Sequence, residues 1–271
     1  MAAHLLSPGE AIAPYWQVAR RSFQRHATYR GATVAAIVVG TVFGFLRAFI
    51  LLAVYQQRTT IGSFDAVDAV TFAFVSQGFL PTVNVFGAME LSDRIRTGDV
   101  ATDLYRPLHF QSYWLADDLG RFAFQGLTRG VAPVAFGALF FTLRLPSDAT
   151  TWVLFLVALV LAELISFTLR FLVALIGFWV LDNRGFVQLG GLILQFFGGV
   201  IVPITFFPHG LERLARLLPF QAVVQLPVEV FLGRHRSVGA LAPQLLWVAV
   251  LVVAGNRLAA TAMRKVTVQG G

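Results

Sequence analysis

Three ionisable side chains stand where a bilayer would make them costly. Arg47, Glu163 and Arg170 each fall inside an apolar run long enough to cross a membrane. On insertion scales a charge near a span's centre costs about 2.5–3.5 kcal/mol, which requires each of them to face protein or water rather than lipid. Two chemistries fit. A buried pair can tie helices together, or the charges can line a route for a solute. Glu163 and Arg170 are seven residues apart, on one helix face but roughly 10 Å apart along the axis. A direct pair between them would be strained, and Arg47 is the conceivable partner of Glu163 across helices. A structural interhelical pair is the simpler of the two readings.

The second candidate is polar. Glu90-Leu-Ser-Asp-Arg-Ile-Arg-Thr-Gly-Asp-Val-Ala-Thr-Asp-Leu-Tyr-Arg-Pro-Leu108 is the longest polar interval between the apolar runs. Two short helical turns fit it, with Leu91 and Ile95 on one face and Val100 and Leu104 on the next. Gly98 can end the first turn in the left-handed conformation, Asp99 can cap the second, and Pro107 stops it at Arg106. A compact amphipathic element on the polar face of a membrane protein is a handle for something outside the bilayer. By spacing alone, a solvated loop whose charges keep it in water accounts for it as well.

Other chemistry is absent from the chain. The one lysine, Lys265, is followed by Val266, so no Gly-Lys-Ser/Thr phosphate loop exists and ATP hydrolysis by that route is excluded. There is no His-Glu-x-x-His and no Gly-x-Ser-x-Gly. The five histidines (4, 26, 109, 209 and 235) are scattered, and the absence of cysteine removes disulfides, thiolate metal sites and a thiol nucleophile. No metal site and no cofactor bound by the chain itself is expected.

The elements that position these residues are set by composition. Of 271 residues, 57% are hydrophobic and 13% charged, against about a quarter charged in a soluble domain, which makes this an integral membrane protein. The net charge of +7 comes from arginines at span ends, where they act as orientation signals and headgroup contacts, and nucleic acid is not an expected partner. Arg20, Arg21, Arg25 and Arg30 precede the first long apolar run, which argues against a cleavable signal.

Residues 1–13 read as a mobile tail and 14–30 as a basic, aromatic helix in the plane of the interface. The all-α fold expected is one transmembrane domain with six spans, at about 31–55, 66–88, 113–143, 150–181, 186–206 and 238–260. Asp117, Asp118 and Arg121 then fall in the first, solvated turns of the third helix. Pro208, Pro219 and Pro227 divide 207–236 into pieces too short to cross, which reads as a re-entrant hairpin capping a cavity. On the side of the termini lie Arg20, Arg21, Arg25, Arg30, Arg94, Arg96, Arg106, Arg184, Arg257, Arg264 and Lys265. Opposite lie Arg58, Arg144, Arg213, Arg216, Arg234 and Arg236. Eleven against six places both termini and the 89–112 loop in the cytosol.

Ile95-Arg96-Thr97-Gly98 followed by Leu104-Tyr105-Arg106-Pro107-Leu108 resembles the permease subunits of ABC-2 type exporters, in particular the small six-helix branch described as ABC-2 family transporter protein. The likeness extends over nearly the whole chain, through the basic opening helix, the turn at Asp182–Arg184 and the Pro227…Leu232-Gly233 segment. Many members carry Leu-Asp after the glycine, where this chain has Asp99-Val100 and its second acid at Asp103.

The resemblance implies that 89–112 is a cytosolic coupling loop, with Leu91, Ile95, Arg96, Gly98, Val100, Leu104, Arg106 and Pro107 docking on a separate ATPase. It likewise implies two copies of an ABC-type ATPase that holds the ATP and Mg, a second permease that is the same or paralogous, and a bacterial inner (cytoplasmic) membrane. The substrate implied is an amphipathic drug, natural product or lipid-like molecule. Two other classes stay open. An ion-coupled secondary transporter would need more intramembrane acids than Glu163, and a lipid-modifying enzyme would need an interfacial polar cluster, for which Asp117, Asp118 and Arg121 are the one candidate. A copurifying ATPase discriminates among them.

Overall fold

Two helices, one buried on nearly every side and one that packs on five others, organise the rest. In the computed structural model, which describes residues 8–56, 60–61, 64–85, 87, 89–180 and 182–269, the chain is helical throughout. Its helices are α1 (Pro8–Thr28), α2 (Arg30–Tyr55), α3 (Ala66–Thr82), α4 (Glu90–Thr97), α5 (Val100–Leu104), α6 (Phe110–Gln125), α7 (Val131–Phe140), α8 (Ala149–Leu175), α9 (Arg184–Phe197), α10 (His209–Leu217), α11 (Gln225–Phe231) and α12 (Ala242–Gln269). A π-helical turn, Gly126–Gly130, joins α6 to α7. The described residues contain no strand, only an isolated bridge between Ile61 and Phe64.

Helix α3 is apolar on every side and correspondingly buried on every side, as a helix without a polar face must be. It packs on α2, the π turn and α7, while α8 packs on α12, α11, α9, α6 and α4. The main core joins Phe72, Val75 and Phe79 of α3 to Phe155, Leu161 and Ile165 of α8, closed by Val228 and Phe231 of α11. Asp65 and Asp68 form a capping box at the start of α3, and Asp148 starts α8 by accepting from Thr151 N at 2.8 Å. These two Thr151 bonds, from its amide first and then its hydroxyl, hold the Asp148 carboxyl below its ordinary range.

Three segments are each long and apolar enough to cross a membrane: Arg30–Tyr55, Ala149–Phe178 and Val238–Lys265. His209–Leu217 and Pro219–Phe231 pass the same test only together, across a bend of 71°. Pro219 makes that break, since it follows Leu218 in extended backbone and cannot continue α10.

Several boundaries differ from the sequence reading. The helix expected from 14 starts at Pro8, and only residues 1–7 of the expected tail lie outside the described residues. The helix over the second expected span ends at Thr82, one residue after Pro81, and not at 88. The single run expected over 113–143 is α6, the π turn and α7 in succession. The last helix continues to Gln269.

Helix α1 lies against α6 because Gly120 leaves no side chain between them. A Cβ there would come within 2.1 Å of the Ala19 carbonyl oxygen. Close contact lets Arg25 reach Asp117 at 3.0 Å and Tyr15 Oη receive the His109 amide at 3.1 Å. Gly120→Ala is expected to force α1 outward and cost about 1–3 kcal/mol, as overpacking does. Thermal unfolding of the purified variant measures this; an unaltered melting temperature would show that α1 is not seated on α6.

Candidate functional site

The α4–α5 element is built from both sides. On its inner side Leu91 and Val100 are buried, together with Met89, against Phe167, Phe171 and Leu175 of α8, Phe110 and Trp114 of α6, and Ala259 and Ala262 of α12. Ile95 and Leu104 lie half-buried on the same cluster. Gly98 turns the chain between the two helices at φ 85°, a left-handed conformation that glycine adopts without a Cβ clash. Asp99 follows, but its carboxylate accepts from Thr97 Oγ1 at 2.7 Å and does not cap α5.

A guanidinium clamp closes the turn. Arg94 donates Nε to Asp103 Oδ2 at 2.7 Å and Nη2 to Oδ1 at 3.0 Å, to Thr102 Oγ1 at 2.9 Å and to the Asp99 carbonyl at 3.3 Å. The Asp103 bond is the main reason the Arg94 pKa lies above its ordinary value. Arg106 adds a second contact to Asp103 at 3.2 Å and covers the Tyr113 ring at 4.5 Å. Outside contacts come from Asn183 to Ser92 Oγ at 3.4 Å and from Arg25 to Glu90 at 3.2 Å.

The outward face consists of Asp93, Arg96, Thr97, Asp99, Thr102, Tyr105 and Pro107, with Tyr105 89% exposed.

Behind this element lies a buried quartet of charges. Asp118 and Arg121 of α6 meet Glu163 and Arg170 of α8, all with side chains at most about a tenth exposed. Arg121 donates Nε to Asp118 at 2.7 Å and Nη2 to Glu163 at 2.8 Å. Its Nη1 bonds the carbonyls of Pro81 and Thr82 at 3.1 and 3.0 Å. Arg170 reaches Asp118 Oδ2 at 2.5 Å and approaches Glu163 at 3.6 Å. Ser166 Oγ donates to the Val83 carbonyl at 2.6 Å. Three successive carbonyls at the C-terminus of α3, which no helical amide can satisfy, thereby receive donors from α6 and α8.

Residues 42–270 match the family model described as ABC-2 family transporter protein. The chain belongs to that family. No curated protein matches it. Membership makes it a multi-pass membrane protein and a permease component of an ABC transporter, which pairs with an ABC ATPase subunit.

Within this ABC-2 family transporter the residues named from the sequence fall into distinct places. Leu91 and Val100 face the protein's own core, and Ile95, Leu104 and Arg106 are half-buried, because the apolar stripes of α4 and α5 found cover inside the chain. Arg96, Gly98 and Pro107 are exposed.

The pairing of Glu163 with Arg47 that the sequence allowed does not occur. Arg47 donates to Ser76 Oγ at 3.1 Å and to the Val200 carbonyl at 2.5 Å, where the backbone has left α9. Arg170 does approach Glu163, since a long side chain spans the two turns that separate them. Asp118 and Arg121, expected in solvated turns, are buried partners in the quartet. Their i,i+3 spacing beside Phe122 and Phe124 was the available signal. Tyr105, quoted in the sequence motif but not singled out as a site residue, is the most exposed aromatic of the outward face.

Asp118 serves both guanidinium groups, whereas Glu163 takes one close bond. Asp118→Asn is therefore expected to destabilise more than Glu163→Gln, and to approach the roughly 3–5 kcal/mol typical of a broken buried pair. Melting temperatures of the two purified variants decide this. Equal or reversed losses would mean that Glu163 is the anchor.

Proposed function

We propose that the chain is the permease half of an exporter that moves an amphipathic drug, natural product or lipid-like substrate outward, with α4–α5 docking on the ATPase. The observation that carries the reading is the two-sided build of α4–α5. Its apolar side is buried in the permease, a guanidinium clamp fixes its turn, and a polar face with an exposed tyrosine is left outward. A rigid element with an open face transmits motion where a flexible loop would absorb it. Tyr105, Thr102, Arg96 and Asp93 then make the contact, supported from within by Leu91 and Val100.

Six spans are assigned to α2, α3, α6–α7, α8, α9 and α12. The 17 residues of α3 and the 14 of α9 cover about 26 and 21 Å at the helical rise, and α3 is shielded from lipid by its neighbours. With arginines in excess on the α4–α5 side, both termini lie in the cytosol of a bacterial inner membrane. The bent segment 209–231 is read as an outer re-entrant hairpin. The working complex contains two ATPase copies and a second permease, the same or paralogous. An apolar cavity of about 260 Å³ between α8 and α9, lined by Leu172, Val187 and Leu194, adjoins a polar one of about 540 Å³ lined by Ser92, Arg96 and Gln188. A polar mouth leading to an apolar interior suits an amphipathic substrate.

Tyr105→Ala is expected to leave permease abundance unchanged and to weaken ATPase copurification about tenfold or more, as loss of an interfacial aromatic costing roughly 2 kcal/mol would. Undiminished copurification and transport would reduce the loop to a connector. For topology, Thr97→Cys should react with an impermeant maleimide only after permeabilisation, and Thr60→Cys in intact cells. The opposite pattern would invert the assignment.

A further inference from the structure

We propose that Arg129 binds the anionic headgroup of a membrane amphiphile, in a pocket between α2, α3 and the π turn. The inference is independent of the exporter reading and would hold for any role of the chain.

Arg129 stands near the end of the π turn that separates α6 from α7, the one π-helical stretch among the described residues. Such turns widen the backbone and are frequent at functional sites. The other partly buried arginines within the apolar segments, Arg47, Arg121 and Arg170, have polar partners, and Arg257 is exposed. Arg121 and Arg170 share Asp118 and Glu163, and Arg47 donates to a hydroxyl and a carbonyl. Arg129 has no ion pair among the described residues, and its buried Nε has no hydrogen-bond partner. It is a fixed cation in an apolar region with its fork unfilled.

The pocket it lines has a volume of about 330 Å³. Gln77 and Asn84 add two side-chain amides, and Asn84 sits in the turn after α3 at φ 51°. The remaining wall is apolar, including Ala36 and Val39 of α2 and Pro133 of α7. Val39 is 55% exposed, which puts the rim on the outer, apolar surface of α2.

The chemistry selects the ligand. A guanidinium fork with nearby amide donors matches a phosphate or carboxylate, and a cation or a neutral solute would leave the charge unanswered. Apolar walls that open on the exposed face of α2 accommodate an acyl chain beside the headgroup. A small free anion would leave those walls bare.

The test uses the full-length protein, purified in neutral detergent and stripped of lipid. Phosphatidylglycerol, phosphatidylcholine and inorganic phosphate are added separately, and bound lipid is counted by native mass spectrometry alongside the melting temperature. Phosphatidylglycerol is expected to be retained about tenfold more tightly than phosphatidylcholine, and inorganic phosphate to shift melting little. Arg129→Gln should remove that preference and Arg129→Lys restore part of it. Should Arg129→Gln fail to fold, Ala36→Trp, which fills the pocket from α2 and keeps the charge, is expected to remove it as well. Equal retention of both lipids by the unaltered protein, or an undiminished preference in Arg129→Gln or in a folded Ala36→Trp, would overturn the proposal. A phosphate shift as large as that of phosphatidylglycerol would overturn it in favour of a free anion. Unaltered lipid retention with lost permease self-association in Arg129→Gln would overturn it in favour of a protein contact.

Discussion

One guanidinium joins three helices. Arg121 gives its Nε to Asp118, one terminal nitrogen to Glu163 and the other to the last carbonyls of α3. In a bilayer, where water cannot satisfy a helix end, those carbonyls would each leave an acceptor unpaired, at a cost of several kcal/mol. An arginine serves them because it cannot lose its proton and carries five donors in a fixed fork. Its burial then requires an anion, supplied by Asp118, while Glu163 takes a terminal nitrogen and Arg170 lies against both carboxyl groups. The quartet follows from the need to end α3 inside the protein.

That ending has a consequence for α4–α5. From the braced carbonyls at 81–83 the chain runs to Met89, which is buried beside Leu91 on the α8 cluster. The same α8 that carries Glu163, Ser166 and Arg170 presents Phe167 and Phe171 to α4 and α5. The inner side of α4–α5 thus rests directly on side chains of α6, α8 and α12. The clamp of Arg94 on Asp103 keeps the two short helices from flexing about Gly98.

The opposite end of the fold solves the same problem mainly with glutamine amides. Gln225 accepts the Ile204 amide at 3.1 Å and donates to Glu229 at 2.8 Å, and Gln244 of α12 donates to the carbonyls of Ala158 and Ala222. Arg47 takes the Val200 carbonyl. Each broken stretch of backbone between α9 and α11 is matched by a long polar side chain from a neighbouring helix. Arg144 and Arg234 meet Asp68 at the start of α3 and hold the flanking loops there.

Much of this was legible in one dimension. Apolar content, arginine placement and proline breaks determine a helical membrane protein with a broken segment near 207–236, because those features act through local propensity and transfer energy. The helix–glycine–helix of Glu90–Leu104 was equally visible, since caps and turns are short-range. What a face meets is a different matter. The apolar stripe of Leu91 and Val100 looks alike whether it awaits a partner protein or its own core, and only the fold placed it on Phe167 and Phe171. Likewise Asp118 and Arg121 read as a polar helix start until α8 brought Glu163 and Arg170 against them, 42 and 52 residues further on. Periodicity states which residues share a face. Which charges answer one another depends on helix packing, and that is decided by the summed contacts of the whole bundle.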